Sequence, residues 1–134
     1  MTSYGSGSAL VFDTSAFVRQ AEPAVRERWT ATLASGRLAL CPVVALELAS
    51  TARDEDAFAR LDANLARLPL RAPVTEAVGA SALGAARELG GSRRIPAADY
   101  LIAAAAAARG FGVLHDDRHF DVLAQVLSFE SVRL

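Results

Sequence analysis

The sequence predicts an α/β protein whose central sheet is mainly parallel and covered by helices on both faces. Three short apolar runs, Leu10 to Phe12, Leu38 to Cys41 and Gly112 to Leu114, show no polar–apolar alternation, as expected of strands buried on two sides. Longer segments of helical character separate them, and that order of elements builds a parallel sheet. The length of 134 residues suits one domain able to bury a sizeable core.

Residues 1 to 8 are small and polar with no basic stretch, so a flexible tail is expected there rather than a signal peptide, followed by a single domain from 9 to 134. Leu10 to Phe12 is the first strand, and Asp13-Thr14-Ser15 can cap the helix that follows. Pro23 suits the first turn of a second helix, in which Val25, Trp29 and Leu33 recur every four residues until Gly36. Leu38 to Cys41 is the second strand. Pro42 opens an apolar, helix-like stretch from Val43 to Ala52. Asp54 to Arg67 is amphipathic, with Phe58, Leu61, Leu65 and Leu68 on one face. Pro69 to Pro73 is a connection or a short strand. Thr75 to Leu89 is a helix closed by Gly90 and Gly91. Pro96 starts the helix Ala97 to Arg109, which is apolar almost all round and so expected to be buried on several sides. Gly112 to Leu114 is the third strand and ends at His115-Asp116-Asp117. A short helix near Phe120 to Gln125 and a strand near Val126 to Phe129 are expected to finish the chain.

Composition narrows the chemistry. All 14 cationic residues are arginines, which excludes mechanisms built on lysine, such as the P-loop, Schiff-base enzymes and response-regulator receivers. One cysteine excludes an intrachain disulfide and a Cys-rich zinc site. No stretch reaches the roughly 20 apolar residues of a membrane span. The expected location is therefore the cytoplasm, with Cys41 a reduced, buried thiol. The formal net charge of -1 looks unfavourable for a nucleic-acid partner.

Ligands of parallel sheets bind at the carboxyl ends of the strands, and four isolated acids fall at strand ends or on helices. Asp13 directly follows the first strand, where it also makes a good helix cap. Glu47 is the only charge from Leu38 to Ala52, and Asp99 the only one between Arg94 and Arg109. Asp99 gains from its helix N-terminus, but that does not explain a sole charge on a buried helix. Asp117 follows the third strand with Asp116 beside it, and on residue types alone either of these two could serve. A shared pocket of carboxylates needs cations to stay ionised, and oxygen donors favour Mg²⁺ or Mn²⁺. One or two such ions can activate water for phosphodiester hydrolysis.

Four segments carry a family resemblance. They are Val11 to Ala16, Pro42 to Leu48, Ile95 to Ala104 and Val113 to Asp121. In this order and spacing, from Ala9 to about Phe129, the chain resembles the PIN-domain ribonucleases, and among them the VapC-type toxins of bacterial toxin–antitoxin pairs. The resemblance implies a PIN-like three-layer α/β/α sandwich and a Mg²⁺- or Mn²⁺-dependent endoribonuclease that inhibits translation by cutting tRNA or rRNA. It also implies a homodimer and a cognate VapB-like antitoxin whose C-terminal segment lies over the active site. The family's acids carry over to Asp13, Glu47, Asp99 and, on the Asp-Arg-x-Phe run, Asp117. Thr14 and Ser15 match its supporting hydroxyl residues. Asp116 stands where the family often has an uncharged residue. Arg93, Arg94 and Arg118 flank the acids and are candidates for RNA phosphate contacts.

Two other readings compete. His115 and His119 have zincin-like spacing, but a strand precedes them and Asp replaces the required Glu, so they are expected to be surface-loop histidines. A PIN fold could also act without cleavage, as a binding or scaffold module. Retention of all four acids favours activity.

Overall fold

The computed structural model describes residues 8–91 and 94–134. Residues 1–7 of the expected tail, which runs to residue 8, lie outside the described residues, as does Arg93.

The strands form one parallel sheet in the order β3-β2-β1-β4-β5. These are β1 (Leu10–Phe12), β2 (Leu38–Leu40), β3 (Leu70–Arg71), β4 (Gly112–His115) and β5 (Ser131–Arg133). Every residue of β1, β2 and β4 is buried. Successive strand side chains point to opposite faces, so both faces of the sheet are covered and the three-layer expectation holds. On one face Phe12 packs edge-on against Trp29, with ring centroids 5.5 Å apart, and Phe17 joins the same aromatic group.

Helices connect all the strands: α1 (Thr14–Arg19), α2 (Pro23–Ala34), α3 (Pro42–Ala49), α4 (Glu55–Ala66), α5 (Glu76–Leu89), α6 (Ala97–Arg109) and α7 (His119–Leu123). Local chemistry sets their ends. Asp13, Asp54 and Thr75 cap α1, α4 and α5 by accepting backbone N–H groups. Prolines start α2 and α3. Gly90 and Gly110 close α5 and α6 in the left-handed conformation that side chains resist. As its composition predicts, α6 is buried through Ile102, Ala103, Ala104, Ala105 and Ala106, which covers its full circumference. Its alanines let it pack closely beside α5 and against β1 and β4.

One element differs from expectation. The last strand is β5, Ser131–Arg133, and not Val126 to Phe129. Residues Val126 to Phe129 form turns, with Leu127 and Phe129 packed on the core. The strand itself contributes a single buried apolar residue, Val132. An edge strand exposes one face, so an apolar run is the wrong signal for it.

This topology positions the site. From β1 the chain steps to β2 on one side, while β4 pairs with the other side of β1. The reversal of strand order lies between β1 and β4. A crevice opens at the carboxyl ends of such a pair.

Candidate active site

Asp13 ends β1, and its backbone N–H donates to Leu114 O of β4 at 2.9 Å, which ties the two strands together at the crevice. Its carboxylate is buried and tightly held. Ser15 donates to Asp13 Oδ2 from its hydroxyl at 2.6 Å and from its backbone N–H at 3.1 Å. The Ser15 hydroxyl in turn accepts the backbone N–H of Asp116 at 2.9 Å. The β1 and β4 ends are thus joined through one serine.

Asp99 lies in the first turn of α6 and is only 7% exposed. Its pKa is pushed up to about 6, chiefly by burial, with Asp13 and Asp117 adding like charge and a hydrogen bond to His119 opposing the rise. Asp117 comes from the loop after β4. Its backbone N–H donates to His115 Nδ1 at 3.1 Å, and its Oδ1 accepts the backbone N–H of His119 at 2.9 Å. Glu47 sits half-buried on α3 and accepts the Thr14 hydroxyl at 2.8 Å, one residue from Asp13. Thr14 and Ser15 therefore donate hydrogen bonds to Glu47 and Asp13 respectively.

The structure separates the two adjacent acids. Asp117 faces Asp99. Asp116 faces the opposite way, 3.3 Å from Arg133 and 3.6 Å from Arg19. Only its backbone N–H reaches the site, through Ser15. Arg94 and Arg118 are exposed, and Arg94 has a left-handed φ of 54°.

Both histidines depart from the surface-loop expectation. His115 is the last residue of β4 and fully buried. Its Nδ1 accepts a hydrogen bond from the Asp117 backbone N–H, so Nε2 carries the hydrogen and donates to Ser131 Oγ at 2.6 Å. Ser131 then donates to Asp121 Oδ1 at 2.7 Å. Burial holds the His115 pKa below its usual value, in keeping with a neutral ring. His119 is half-buried and enters the acidic group itself, with Nδ1 3.0 Å from Asp99 Oδ2 and 3.3 Å from Asp117 Oδ1. Its position two residues after a candidate acid was the available sequence signal.

Among the described residues, ligand atoms of Asp99, Asp117 and His119 all lie within 4.8 Å of one another. Two carboxylates and an imidazole suit a divalent cation. The depressed acidity of buried Asp99 marks a place where negative charge lacks compensation. The donor set fits the metal that the resemblance implies.

The chain is similar to known proteins in both sequence and fold. The sequence pattern of the PIN domain matches residues 10–126. The chain is 36% identical over 122 residues to Ribonuclease VapC18 of Mycobacterium tuberculosis (strain ATCC 25618 / H37Rv), covering 85% of this chain and 86% of that one. It is 37% identical over 120 residues to Ribonuclease VapC51 of the same organism, covering 87% and 85%. Its fold is similar to a solved member of the VapBC family of toxin–antitoxin systems, VapBC-5 of Mycobacterium tuberculosis. That match has a TM-score of 0.66 and 28% identity, and covers 95% of this chain and 99% of that one.

Proposed function

The chain belongs to the PIN domain family, and from that membership we propose that it is a metal-dependent endoribonuclease and the toxin of a toxin–antitoxin pair. The observation that supports this reading is that Asp99 and Asp117 lie together with His119, while Asp13 at the end of β1 acts on Asp99 by its charge and Glu47 accepts a hydrogen bond from Thr14. Acids from α6 and from the loop after β4 lie side by side, with a buried Asp99 whose cost a bound cation would offset beyond what its hydrogen bond to His119 does.

In this reading Asp13, Asp99 and Asp117 hold Mg²⁺ or Mn²⁺. Glu47 completes the site, as a ligand or by orienting the attacking water. A bound divalent ion supplies a more acidic water and positive charge at the phosphate. Ser15 keeps Asp13 aimed by its two hydrogen bonds, and Thr14 does the same for Glu47. Arg94, Arg118 and Arg93 are placed by sequence beside these acids to grip RNA phosphates, and no lysine is available to share that work. The substrate is tRNA or rRNA, and its cleavage arrests translation. The partner is a VapB-like antitoxin whose C-terminal segment covers the acids, and the active form is a homodimer in the cytoplasm. No helix of the described residues is long and apolar enough to cross a membrane.

The test is cleavage of purified tRNA and ribosomal RNA with added Mg²⁺ or Mn²⁺. The expected result is discrete cleavage that chelation by EDTA abolishes and Asp99→Asn lowers by more than about a hundredfold. Binding of RNA with no cleavage under any divalent ion would instead favour the inactive, binding-module form of the fold.

A further inference from the structure

The ligands proposed for the nuclease metal are all carboxylates, yet this chain sets a histidine nitrogen beside two of them. The geometry points to His119 as a metal ligand through Nδ1, giving a mixed oxygen–nitrogen site that selects a first-row transition ion such as Mn²⁺ over Mg²⁺. This inference rests on the metal-dependent reading of the acids and specifies which ion they take.

Three observations support it. The first is distance. His119 Nδ1 lies 3.0 Å from Asp99 Oδ2 and 3.3 Å from Asp117 Oδ1. Neighbouring corners of an octahedron with bonds of about 2.1 Å stand roughly 3.0 Å apart, so His119 Nδ1 is spaced from each of the two oxygens much as an adjacent ligand would be, and the three residues' ligand atoms lie within 4.8 Å of one another. The second is fixation of the ring's anchor. The His119 backbone N–H donates to Asp117 Oδ1 at 2.9 Å, and α7 begins at this residue. The nitrogen is thus carried by the same turn as one of the acids. The third is exclusivity of the role. His115, the other histidine nearby, has both ring nitrogens engaged, one by the Asp117 N–H and one by Ser131. Its nitrogens are engaged away from the oxygens of Asp99 and Asp117, whereas Nδ1 of His119 is hydrogen-bonded with a candidate ligand itself, Asp99 Oδ2 at 3.0 Å, a contact a shared cation would replace.

The selectivity follows from donor chemistry. Mg²⁺ prefers oxygen ligands and keeps much of its water shell. Imidazole is a better donor to transition ions, whose affinity for nitrogen sites exceeds that of Mg²⁺. Replacing one oxygen by an imidazole nitrogen in an otherwise carboxylate site shifts the balance toward the transition series.

The experiment is electron paramagnetic resonance of Mn²⁺ titrated into the intact chain, with Mg²⁺ as competitor, for the parent and for His119→Asn. Asn is close in polarity and smaller than the ring, and a thermal melt establishes that the variant is folded. The expected result is ¹⁴N coupling from a directly bound imidazole in the spin echo of the parent, absent in His119→Asn. The variant's preference for Mn²⁺ over Mg²⁺ is expected to fall by about tenfold or more. Parent protein that binds Mn²⁺ without nitrogen coupling would overturn the inference whatever the variant does, and would leave an oxygen-only nuclease site standing. A folded His119→Asn with an unchanged Mn²⁺-to-Mg²⁺ ratio would overturn it as well. Parent protein that binds neither ion would overturn both this inference and the metal-dependent reading beneath it.

Discussion

Asp116 and Asp117 are neighbours with opposite surroundings. Asp117 shares a pocket with buried Asp99, while Asp116 is paired with Arg19 and Arg133 on the outer side. Asp117→Asn is therefore expected to lower RNA cleavage by more than about a hundredfold, and Asp116→Asn by no more than a few-fold, because exposed ion pairs contribute little. Initial rates on one RNA check this, and equal losses in the two variants would refute the assignment. The sequence left the pair undecided because adjacent residues leaving a strand point to opposite sides. Only the pairing of β4 with β1 determines which side is the crevice. His115 and His119 were misjudged for a related reason, since a polar loop motif does not reveal that its first residue still belongs to a buried strand.

Asp99 adds a pH dependence at the same scale. Its folded pKa of about 6 lies above the ordinary value of 3.8. The folded state therefore holds its proton more tightly than the unfolded one, and stability is lost as pH rises from about 4 through 6. The groups facing it are Asp13, Asp117 and His119. Without metal, Asp99→Asn should gain stability relative to the parent as pH rises across that window, by up to about 3 kcal/mol. Denaturant unfolding of both proteins in EDTA at pH 4.5 and 7.5 measures the difference. An advantage that shrinks with pH would contradict the assigned burial effect, and added Mn²⁺ should erase the parent's deficit at the higher pH.

At the scale of elements, the crevice depends on how closely β1, β4 and β5 lie. Gly112 starts β4, and a Cβ there would stand 2.9 Å from Leu10 Cδ2 and 3.0 Å from the Glu130 carbonyl oxygen. Leu10 is buried and the Glu130 backbone is fixed by its bond to Val113, so neither neighbour yields easily. Gly112→Ala is expected to cost about 1–3 kcal/mol in a denaturant melt, and a neutral result would mean the strands are looser than described. Most elements were legible beforehand because their signals are local. Unbroken apolar triplets marked β1, β2 and β4, and prolines, caps and glycines marked the helices. The final strand was not legible. Ser131-Val132-Arg133 buries one side chain, and its identity comes from pairing with Val113, Leu114 and His115, which are distant in sequence.

At the scale of the whole molecule, a net charge of -1 is compatible with the proposed RNA substrate. The acids at the β1–β4 crevice are proposed to face metal, so they do not face RNA as bare charge. Arginine supplies every permanent positive side chain around them. Asp13, Glu47 and Asp99 were legible as isolated charges and Asp117 less so beside Asp116, and convergence of the four on a shared pocket was expected; where that pocket would lie follows from the reversal of strand order that sets β1 beside β4. The most direct test of that convergence is anomalous diffraction from crystals soaked in Mn²⁺. The account predicts manganese bound between Asp13, Asp99 and Asp117 at the carboxyl ends of β1 and β4. Manganese bound only elsewhere, such as at Asp116 and Asp121, or a crevice that stays free of it at saturating concentration, would contradict the account.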